Sequence, residues 1–590
     1  TEIYTLSLHD ALPISSLYVI PIDGGEAQRV LTHETAIRGY DWSPDGRRVA
    51  FLATETEAAR DRKRREKGFT ANIYEEDWRP VRVWVASVTE PAEDWVVEPE
   101  ETQPRALELE GSAFTVEWDP RGELLAVAMA PTPLVDDSLM KQRIVLVRVD
   151  DAAVVGRVAT SGKIGMFRWS PGGEQLALVS AEDEHDPREG RLVIVGRRGG
   201  AVRELVPNYE GHIWSMAWRD DRTLVYVGEE GVWNVLNSVA VDGTGRVSLL
   251  PAGRHVFGRI SLSRDGRMGA VIGQDASHPE EVYGVSLPGG NLRRLTHHNA
   301  WLSGVRLASQ EPVRYVARDG LELDGILIRP LNAEAGRRYP LILSVHGGPE
   351  AHESNGWKTS YARPGQVAAA RGFAVFYPNY RGSTGRGVDF SKLGQADYAG
   401  KEFDDLVDAV RHLVAVGLAD ERRVGVTGGS YGGYATAWCA TRLTEHFAAG
   451  VMFVGVSDLI SKFGTTDIPE EMSLVHARKM PWDDWDFFLE RSPSKHAGQS
   501  RTPLLFLHGK DDPRVHSSQS LEMYRYLKAW TETPVRLVLY PGEGHGNARA
   551  AARLDYQLRM LQWFEHYLLG AGGDPPSPEL DYPFEEKATE

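Results

Sequence analysis

The sequence predicts two domains of different fold class, an all-β domain followed by an α/β domain. Three observations carry this prediction. A turn motif related to Trp-Ser-Pro-Asp-Gly recurs five times in the first half of the chain, between short apolar segments. From about residue 312, strand and helix patterns alternate instead. A glycine-flanked serine, Ser430, joins one of these strand patterns to a helix pattern. A chain of 590 residues is also too long for a single core.

Composition excludes several classes of partner. A hydrophobic content of 42% with 25% charged residues is ordinary for a globular protein. The net charge of −17 argues against a nucleic-acid-binding surface, which is usually basic. The sequence has no run of about 18 apolar residues, the length that a membrane helix needs. We therefore expect neither nucleic acid nor a membrane as partner, whereas a homo-oligomer is compatible with the sequence.

The cysteine content bears on the compartment. Cys439 is the one cysteine, so no disulfide forms within the chain. Its position in a helix pattern favours a small buried apolar residue over a reactive thiol. A chain without disulfides fits the reducing cytoplasm, which we take as the expected location, although exported enzymes without disulfides are also common.

The two ends of the chain differ from the rest. Residues 1–15 have no basic or signal-peptide pattern and resemble a translated sequencing adapter, so we expect this segment to be non-native. On that expectation the true N-terminus, with any export signal, is missing. Residues 571–590 are rich in glycine, proline and acidic residues, and this composition predicts disorder.

Residues 16–311 are predicted to form a β-propeller. In each turn motif proline presets φ, aspartate caps the turn and glycine accepts a positive φ, so two strands meet as a hairpin. After a longer first interval the motifs recur every 44 to 51 residues, and this period of pure strand signal is typical of propeller blades. The five motifs start at Trp42, Trp118, Trp169, Trp218 and Leu262.

The longer first interval contains an insertion. Residues 60–67 are strongly charged and predict a solvated helix or loop rather than a binding patch. Glu75 and Glu76 follow, and paired carboxylates of this kind either remain solvated or, when they face a cavity, hold the amino terminus of a peptide.

Residues 312–570 are predicted to form an α/β-hydrolase domain around a nucleophile elbow. The apolar strand 424–427 leads into Gly428-Gly429-Ser430-Tyr431-Gly432 and then into a helix pattern. Gly428 and Gly432 are small where side chains would collide in so sharp a turn. The turn exposes the Ser430 hydroxyl and directs the Tyr431 N–H at the oxyanion that forms when serine attacks a carbonyl.

Other strand ends supply the remaining chemistry. The strand 339–345 ends in a glycine-rich loop, whose Gly348 or Gly347 can donate a second N–H to the same oxyanion. The strand 535–540 opens into a glycine-rich loop with His545, which is placed to take the serine proton. The strand 504–509 opens into Asp511 and Asp512, and either carboxylate satisfies the spacing. Three further histidines compete for the role of the base: His508, His516 and His496.

Taken together, these motifs resemble the prolyl oligopeptidase family of serine peptidases, and most closely its acylaminoacyl-peptidase branch. The resemblance rests on the elbow, on His346-Gly347-Gly348-Pro349, and on His508-Gly509 followed by Asp512, Arg514 and Val515, with His545 completing the set. It implies a catalytic triad of Ser430, Asp512 and His545 and an oxyanion hole formed by Tyr431 and Gly348. Branches close to prolyl oligopeptidase use a tyrosine where this chain has His346, and this departure favours the acylaminoacyl type.

The resemblance also implies a substrate pocket and a larger propeller. Arg514 matches an arginine that binds the backbone carbonyl of the substrate. Tyr431, Val456 and Val515 would line the specificity pocket. The family's usual propeller has seven blades, whereas this chain has five turn motifs, so the propeller is expected to be truncated.

The sequence therefore predicts a serine peptidase that cleaves short peptides through an acyl-enzyme, without metal or organic cofactor. The propeller would exclude folded proteins. The resemblance to the acylaminoacyl-peptidase branch implies that the enzyme removes an acylated amino-terminal residue. Alternatives are dipeptidyl release aided by Glu75 and Glu76, C-terminal cleavage anchored by arginines, a carboxylesterase or lipase, and an interaction protein with an inactive hydrolase domain.

Overall fold

The computed structural model describes residues 15–88 and 104–582. Two of the sequence expectations concern residues outside these ranges. One is the non-native origin of the N-terminal segment, of which only Ser15 is described, and the other is the disorder of residues 583–590 in the tail. In the described ranges, no helix is both long and apolar enough to cross a bilayer.

The N-terminal region is built from sheets, mostly of four strands, in sequence order, and all of their strand pairs are antiparallel except β10–β14. A two-stranded sheet, β1–β2, comes first and packs on the sheet β3–β6. The sheets that follow are β7–β10 with β14 added, β11–β13 with β15, β16–β19, and β20–β23. The strands are β1 (Ser16–Val19), β2 (Gln28–Thr32), β3 (Ile37–Trp42), β4 (Arg48–Thr54), β5 (Val81–Ser87), β6 (Arg105–Leu107), β7 (Ser112–Trp118), β8 (Leu124–Ala130), β9 (Arg143–Arg148), β10 (Val154–Ala159), β11 (Ile164–Trp169), β12 (Gln175–Ser180), β13 (Arg191–Gly196), β14 (Gly200–Ala201), β15 (Arg203–Glu204), β16 (His212–Asp220), β17 (Thr223–Glu230), β18 (Trp233–Ala240), β19 (Val247–Leu250), β20 (Val256–Leu262), β21 (Met268–Asp275), β22 (His278–Ser286) and β23 (Leu292–Arg294).

The recurring turn motif forms the hairpin that the sequence predicts. Each copy joins the first two strands of a sheet, as in the pairs β3–β4 and β20–β21. In the first copy the Gly46 N–H donates to the Ser43 carbonyl at 2.8 Å, and Gly46 has a φ of 70°. The motif therefore marks the start of each four-stranded unit.

Neighbouring sheets are linked through their first strands. The Asp41 carboxylate at the end of β3 accepts a hydrogen bond of 2.7 Å from the Trp118 N–H in the next sheet. Glu117 repeats this contact one sheet further along, accepting from the Trp169 N–H at 2.9 Å. A side-chain acceptor next to the motif tryptophan thus ties each of these sheets to the next.

The charged insertion forms a helix, Ala59–Glu66, between strands β4 and β5 of one sheet. None of its residues is buried, as expected for a solvated helix. Glu75, further along the insertion, has a φ of 60°, a left-handed conformation that is uncommon for a side chain of this size.

The C-terminal region is organised around an eight-stranded sheet of order β24-β25-β27-β26-β28-β29-β30-β31. The pairs β24–β25 and β25–β27 are antiparallel. The other neighbouring pairs are parallel: β26–β27, β26–β28, β28–β29, β29–β30 and β30–β31. This is the sheet of an α/β-hydrolase domain. Its strands are β24 (Gln310–Val316), β25 (Glu322–Ile328), β26 (Tyr339–Val345), β27 (Ala374–Asn379), β28 (Ala419–Gly429), β29 (Ala449–Phe453), β30 (Leu504–Gly509) and β31 (Val535–Tyr540).

Helices cover both faces of this sheet and bury its apolar strands. Helices α5 and α6 pack on one face, and α3 and α11 pack on the other. The helices are α1 (Ala59–Glu66), α2 (Val135–Met140), α3 (Gly365–Ala370), α4 (Val388–Ser391), α5 (Lys401–Ala415), α6 (Tyr431–Thr441), α7 (Leu459–Phe463), α8 (Pro469–Glu471), α9 (Trp485–Glu490), α10 (Ser518–Trp530) and α11 (Ala550–Phe564), with 3₁₀ turns at Ala300–Gly304, Lys392–Gly394, Thr444–His446, Pro481–Asp483 and Pro493–Gln499 and π turns at Met472–Ala477 and Glu565–Leu569.

Buried polar contacts join the two regions. Lys163 of the N-terminal region forms an ion pair with Glu471, and both side chains are about nine-tenths buried. The Asp136 carboxylate accepts a hydrogen bond of 3.1 Å from the Glu471 N–H. On another part of the same interface, the His212 Nδ1 accepts from the Gly385 N–H at 2.9 Å.

The described part of the tail contacts the hydrolase domain. Residues 571–582 lie against α11 and are held by hydrogen bonds. The Arg536 guanidinium donates to the Pro576 carbonyl at 2.6 Å, and the Tyr582 hydroxyl donates to Asp555 at 2.6 Å. Side chains of the folded domain hold this segment, so its own composition gave no sign of the contact.

Candidate active site

The structure brings Ser430, His545 and Asp512 together at the carboxyl edge of the eight-stranded sheet. The Ser430 Oγ lies 2.9 Å from the His545 Nε2, and the His545 Nδ1 lies 2.8 Å from an Asp512 carboxylate oxygen. Ser430 follows β28, Asp512 follows β30 and His545 follows β31. The carboxyl ends of parallel strands meet at one edge of a sheet. The arrangement allows the imidazole to take the serine proton while the carboxylate fixes its tautomer.

Ser430 stands in strained backbone between β28 and α6. Its φ is 58° and its ψ is −119°, a region that residues with a side chain rarely adopt. The two neighbouring glycines explain how the turn fits. A Cβ on Gly428 would lie 2.5 Å from the Gly432 carbonyl oxygen, and one on Gly432 would lie 2.1 Å from the Val345 carbonyl oxygen. Both positions therefore need glycine for the steric reason that the sequence predicts.

Asp512 rather than Asp511 meets His545. Asp511 is exposed, whereas Asp512 is buried. The Asp512 carboxylate also accepts the N–H groups of Arg514 and Val515 at 2.9 and 3.0 Å. Burial alone would raise the pKa of Asp512, but the hydrogen bonds from His508 and His545 and the His545 charge hold it below its usual range. The carboxyl group is therefore kept ionised.

The competing histidines occupy other positions. His508 is buried beside Asp512, with its Nε2 at 3.3 Å from the carboxylate and its Nδ1 at 2.7 Å from the Ser520 hydroxyl. It thus supports the aspartate rather than facing Ser430. His496 packs edge-on against Trp438, and His516 is exposed.

Two backbone N–H groups lie next to Ser430 without a protein acceptor. Within residues 15–88 and 104–582, neither the Tyr431 N–H nor the Gly348 N–H donates a hydrogen bond to a protein group. Gly348 and Tyr431 line the same cavity as Ser430. Gly347 packs directly on the elbow, since a Cβ there would lie 2.7 Å from the Gly429 carbonyl oxygen. The Tyr431 and Gly348 N–H groups are thus available to an acceptor bound beside Ser430.

His346 anchors the start of the loop that carries Gly347 and Gly348. Its ring stacks on Tyr380 with 4.3 Å between ring centroids, and its Nε2 lies 2.9 Å from the Ser383 hydroxyl. Burial lowers the pKa of His346 to about 4, so its imidazole is neutral at pH 7. His346 therefore stabilises the loop through packing and hydrogen bonding as a neutral side chain.

A narrow cavity of about 40 Å³ opens beside Ser430. Val456, Val515 and Arg514 line it, as does the Tyr431 side chain. These residues were predicted to surround the substrate, and the structure brings all of them to this cavity.

Arg514 is held in place by a carboxylate that the sequence analysis did not identify. Its Nε donates to the Asp467 carboxylate at 2.5 Å. Asp467 lies just before α8 and is separated from Arg514 by 47 residues, so no local pattern predicts the pair.

Two buried ionisable side chains near the cavity also escaped sequence analysis. Lys462 lines the cavity from α7. Glu402 accepts the Tyr431 hydroxyl at 2.6 Å, and burial raises its pKa to about 8. Lysine and glutamate in helices usually face solvent, so their sequence positions carried no signal. In the described ranges, no group of three or more His, Cys, Asp or Glu side chains is placed to hold a metal ion.

Comparison with known proteins identifies a family for part of the chain. Residues 359–571 match the model of the prolyl oligopeptidase family. The chain contains a prolyl oligopeptidase family domain. The match includes the elbow and the loops that carry Asp512 and His545, whereas the loop with Gly347 and Gly348 lies before the first matched residue.

Relatives of the prolyl oligopeptidase family domain differ in their named activities. The chain is 38% identical over 286 residues to dipeptidyl aminopeptidase BIII of Pseudoxanthomonas mexicana, covering 46% of this chain and 41% of that protein. It is 33% identical over 261 residues to the acylamino-acid-releasing enzyme of Sus scrofa, covering 43% of this chain and 34% of that protein. The chain thus spans less than half the length of these curated relatives.

The fold of the whole chain is similar to that of a solved structure, the Pyrococcus horikoshii acylaminoacyl peptidase. The TM-score is 0.78 with 21% identity, over 96% of this chain and 86% of that one. The shared fold is an N-terminal β domain followed by an α/β-hydrolase domain that contains the prolyl oligopeptidase family domain.

Proposed function

We propose that this protein is a serine peptidase that cleaves short peptides, with Ser430 as nucleophile, His545 as general base and acid, and Asp512 as the carboxylate that orients His545. The observation that carries the proposal is the continuous chain of contacts from Ser430 Oγ through His545 to Asp512, at 2.9 and 2.8 Å. Serine hydroxyls are weak nucleophiles without such a base.

The reaction proceeds in two halves. The Ser430 Oγ attacks the peptide carbonyl while its proton passes to the His545 Nε2. His545 then gives this proton to the leaving amine, and an acyl-enzyme remains. Water attacks the acyl-enzyme, gives a proton to His545 and releases the acid, and the proton returns to Ser430.

The oxyanion of each tetrahedral intermediate is bound by the N–H groups of Tyr431 and Gly348. Their lack of protein acceptors in the described part of the chain supports this role. The Arg514 guanidinium, fixed by Asp467, is available to bind a backbone carbonyl of the substrate, and Val456 and Val515 contact its side chain.

Removal of an acylated amino-terminal residue is the first specificity that we propose. The relative from Sus scrofa is named for this activity, and the N-terminal β domain and the hydrolase domain of this chain share the fold of an acylaminoacyl peptidase. The narrow cavity beside Ser430 suits one residue followed by a scissile bond.

Dipeptidyl release is a second candidate, and a specific observation favours it. Partial desolvation and the negative charges of Glu75 and Asp467 raise the pKa of Tyr74 in the inserted segment, and Asp467 is the partner of Arg514. Glu75 stands next to Tyr74 in left-handed backbone, which is often found where a side chain must point at a ligand. A free amino terminus would be attracted to Glu75 and Glu76.

We also propose that the N-terminal sheets are blades of an incomplete β-propeller that restricts access to short peptides. The repeated four-stranded units and the links between their first strands support this architecture. The buried ion pair between Lys163 and Glu471 holds these sheets against the hydrolase domain.

The test is hydrolysis of N-acetylalanyl, free dipeptidyl and simple acyl-ester chromogenic substrates by the wild type and by Ser430→Ala. Cleavage of the acetylalanyl substrate that is lost in the variant is expected for the first specificity. Cleavage of the dipeptidyl substrate alone would instead support the second candidate. Cleavage of esters only, or activity that survives in Ser430→Ala, would contradict the peptidase.

A further inference from the structure

The cavity beside Ser430 has an uneven distribution of charge. Its lining includes three basic side chains, Lys462, Arg514 and His476, and no aspartate or glutamate. The rest of the lining is mostly aromatic or aliphatic. If Ser430 is the nucleophile, this cavity receives the side chain of the residue whose carbonyl is attacked.

Two of the basic side chains already have a carboxylate partner. The Arg514 Nε donates to Asp467 at 2.5 Å, and the His476 Nε2 lies 2.5 Å from Glu350. The charge of Arg514 is therefore balanced by the protein itself, and the His476 imidazole already has a carboxylate beside it.

Lys462 differs from both. Only 7% of its surface is exposed, and its Nζ donates to the Thr466 hydroxyl oxygen at 2.6 Å. Within residues 15–88 and 104–582, no carboxylate lies within 4 Å of this Nζ. A lysine ammonium has three donors, so the contact with Thr466 leaves donors for a further acceptor.

An ammonium group buried in this way is costly. Removing a charge from water without a counter-ion costs several kcal/mol, and buried charges in proteins are usually paired. Burial, with the charge of Arg514, lowers the pKa of Lys462 to about 8, and the more distant carboxylates of Asp467, Glu471 and Asp512 offset this lowering only in part. At neutral pH the group is therefore mostly protonated, and an anion in the cavity would offset the cost.

We propose that Lys462 makes this cavity selective for a substrate with an acidic side chain at the residue whose carbonyl Ser430 attacks. The inference rests on the proposed peptidase function and names its substrate class. The carboxylate would accept hydrogen bonds from the Lys462 Nζ, while Val456 and Val515 contact the methylene group.

The size of the cavity limits which acidic side chain fits. A cavity of about 40 Å³ leaves little room for a long or branched side chain. Such a space suits the short aspartyl side chain better than a leucyl or aromatic one. Aspartyl substrates are therefore expected to be preferred.

The experiment compares kcat/KM for aspartyl and leucyl chromogenic substrates in the wild type and in Lys462→Met. Each pair is made in two forms, N-acetylaminoacyl and alanyl-dipeptidyl, because the residue attacked by Ser430 is the same whichever end of the peptide is recognised. Labelling of Ser430 by a fluorophosphonate is measured in parallel, since it reports the nucleophile independently of the side-chain pocket.

Lys358→Met is the matched control. Lys358 is also a buried lysine, but it pairs with Glu353 at 2.7 Å and does not line the cavity. Its loss is expected to lower Tm and to leave the ratio of aspartyl to leucyl kcat/KM unchanged.

The wild type is expected to prefer aspartyl substrates, and Lys462→Met is expected to lower the aspartyl-to-leucyl ratio by about 10- to 100-fold, the effect of losing a charged hydrogen bond. Fluorophosphonate labelling is expected to be unchanged. Normal labelling and cleavage without an aspartyl preference, or an equal loss of both activities in Lys462→Met, would overturn this inference alone. Absence of labelling and of all cleavage in the wild type would overturn the peptidase function and the inference with it.

Discussion

The His545 Nε2 lies 2.9 Å from the Ser430 Oγ, although 115 residues separate them in the chain. The contact exists because β28 and β31 run parallel in one sheet and their following loops leave from the same edge. The other nitrogen of the same imidazole faces Asp512 at 2.8 Å. The sheet therefore sets the distances on which the proposed chemistry depends.

Asp512→Asn is expected to lower kcat by about 10⁴-fold, because the N–H groups of Arg514 and Val515 would keep the amide oxygen on their side. The amide NH2 would then donate to the His545 Nδ1, which holds the imidazole in the wrong tautomer. Asp511→Asn is the matched control, since Asp511 is adjacent but exposed. Steady-state kinetics of both variants on one substrate check this prediction. Equal effects of the two substitutions would contradict the assignment of Asp512.

Ser430→Gly is expected to be more stable than Ser430→Ala by about 1 kcal/mol. A backbone φ of 58° destabilises the folded state by about 1–3 kcal/mol for a residue that has a Cβ. Glycine has no such strain, although it loses somewhat more conformational entropy on folding. Urea unfolding of the two inactive variants measures the difference. A less stable Ser430→Gly would show that the turn is not strained.

Gly432→Ala is expected to destabilise the domain by about 3 kcal/mol or more, because its Cβ would lie 2.1 Å from the Val345 carbonyl oxygen in buried backbone. Gly429→Ala is the comparison, since its nearest contact is the Phe453 ring at 3.2 Å and a side chain can shift. Thermal unfolding should show a far larger fall in Tm for Gly432→Ala. Similar values would contradict the packing described for the elbow.

Glu402→Gln is expected to stabilise the protein increasingly as the pH rises. Burial raises the pKa of Glu402 to about 8, and the negative charges of Asp397 and Asp405 act in the same direction, while the Tyr431 hydroxyl and the Ala399 N–H oppose them. The unfolded chain loses this proton near pH 4.3, so the wild-type free energy of unfolding falls between about pH 4.5 and 8.

Glutamine stays neutral throughout this range. The Tm of Glu402→Gln should therefore be close to that of the wild type at pH 5 and exceed it at pH 8.5. A difference in Tm that does not change with pH would show that Glu402 is ionised in the folded protein.

Much of the site could be predicted from the sequence because its residues stand in local patterns. The glycines around Ser430 and the strand-to-helix change mark the elbow, and the loops with Gly348 and His545 follow apolar strands. Spacing alone left Asp511 and Asp512 equivalent. The family resemblance pointed to Asp512, and the tertiary structure gives the physical reason, because it buries this carboxylate against His508 and leaves that of Asp511 in solvent.

Other features depend on contacts between distant segments. Asp467 meets Arg514, and Lys462 turns inwards from a short helix that has no distinctive pattern. The order of residues 571–582 arises from acceptors and donors on α11 and β31, not from the segment's own composition. Sequence periodicity reports which face of an element is apolar and does not report which polar group a neighbouring element supplies.

The central claim is that His545 activates Ser430 as a nucleophile. The most direct measurement is peptide mapping by mass spectrometry after reaction with diisopropyl fluorophosphate, on the wild type and on His545→Ala, with circular dichroism to verify that both are folded. The account predicts one adduct on Ser430 in the wild type and a rate of labelling lower by at least about 10³-fold in His545→Ala. An adduct on another residue, or labelling of Ser430 at the same rate without His545, would contradict it.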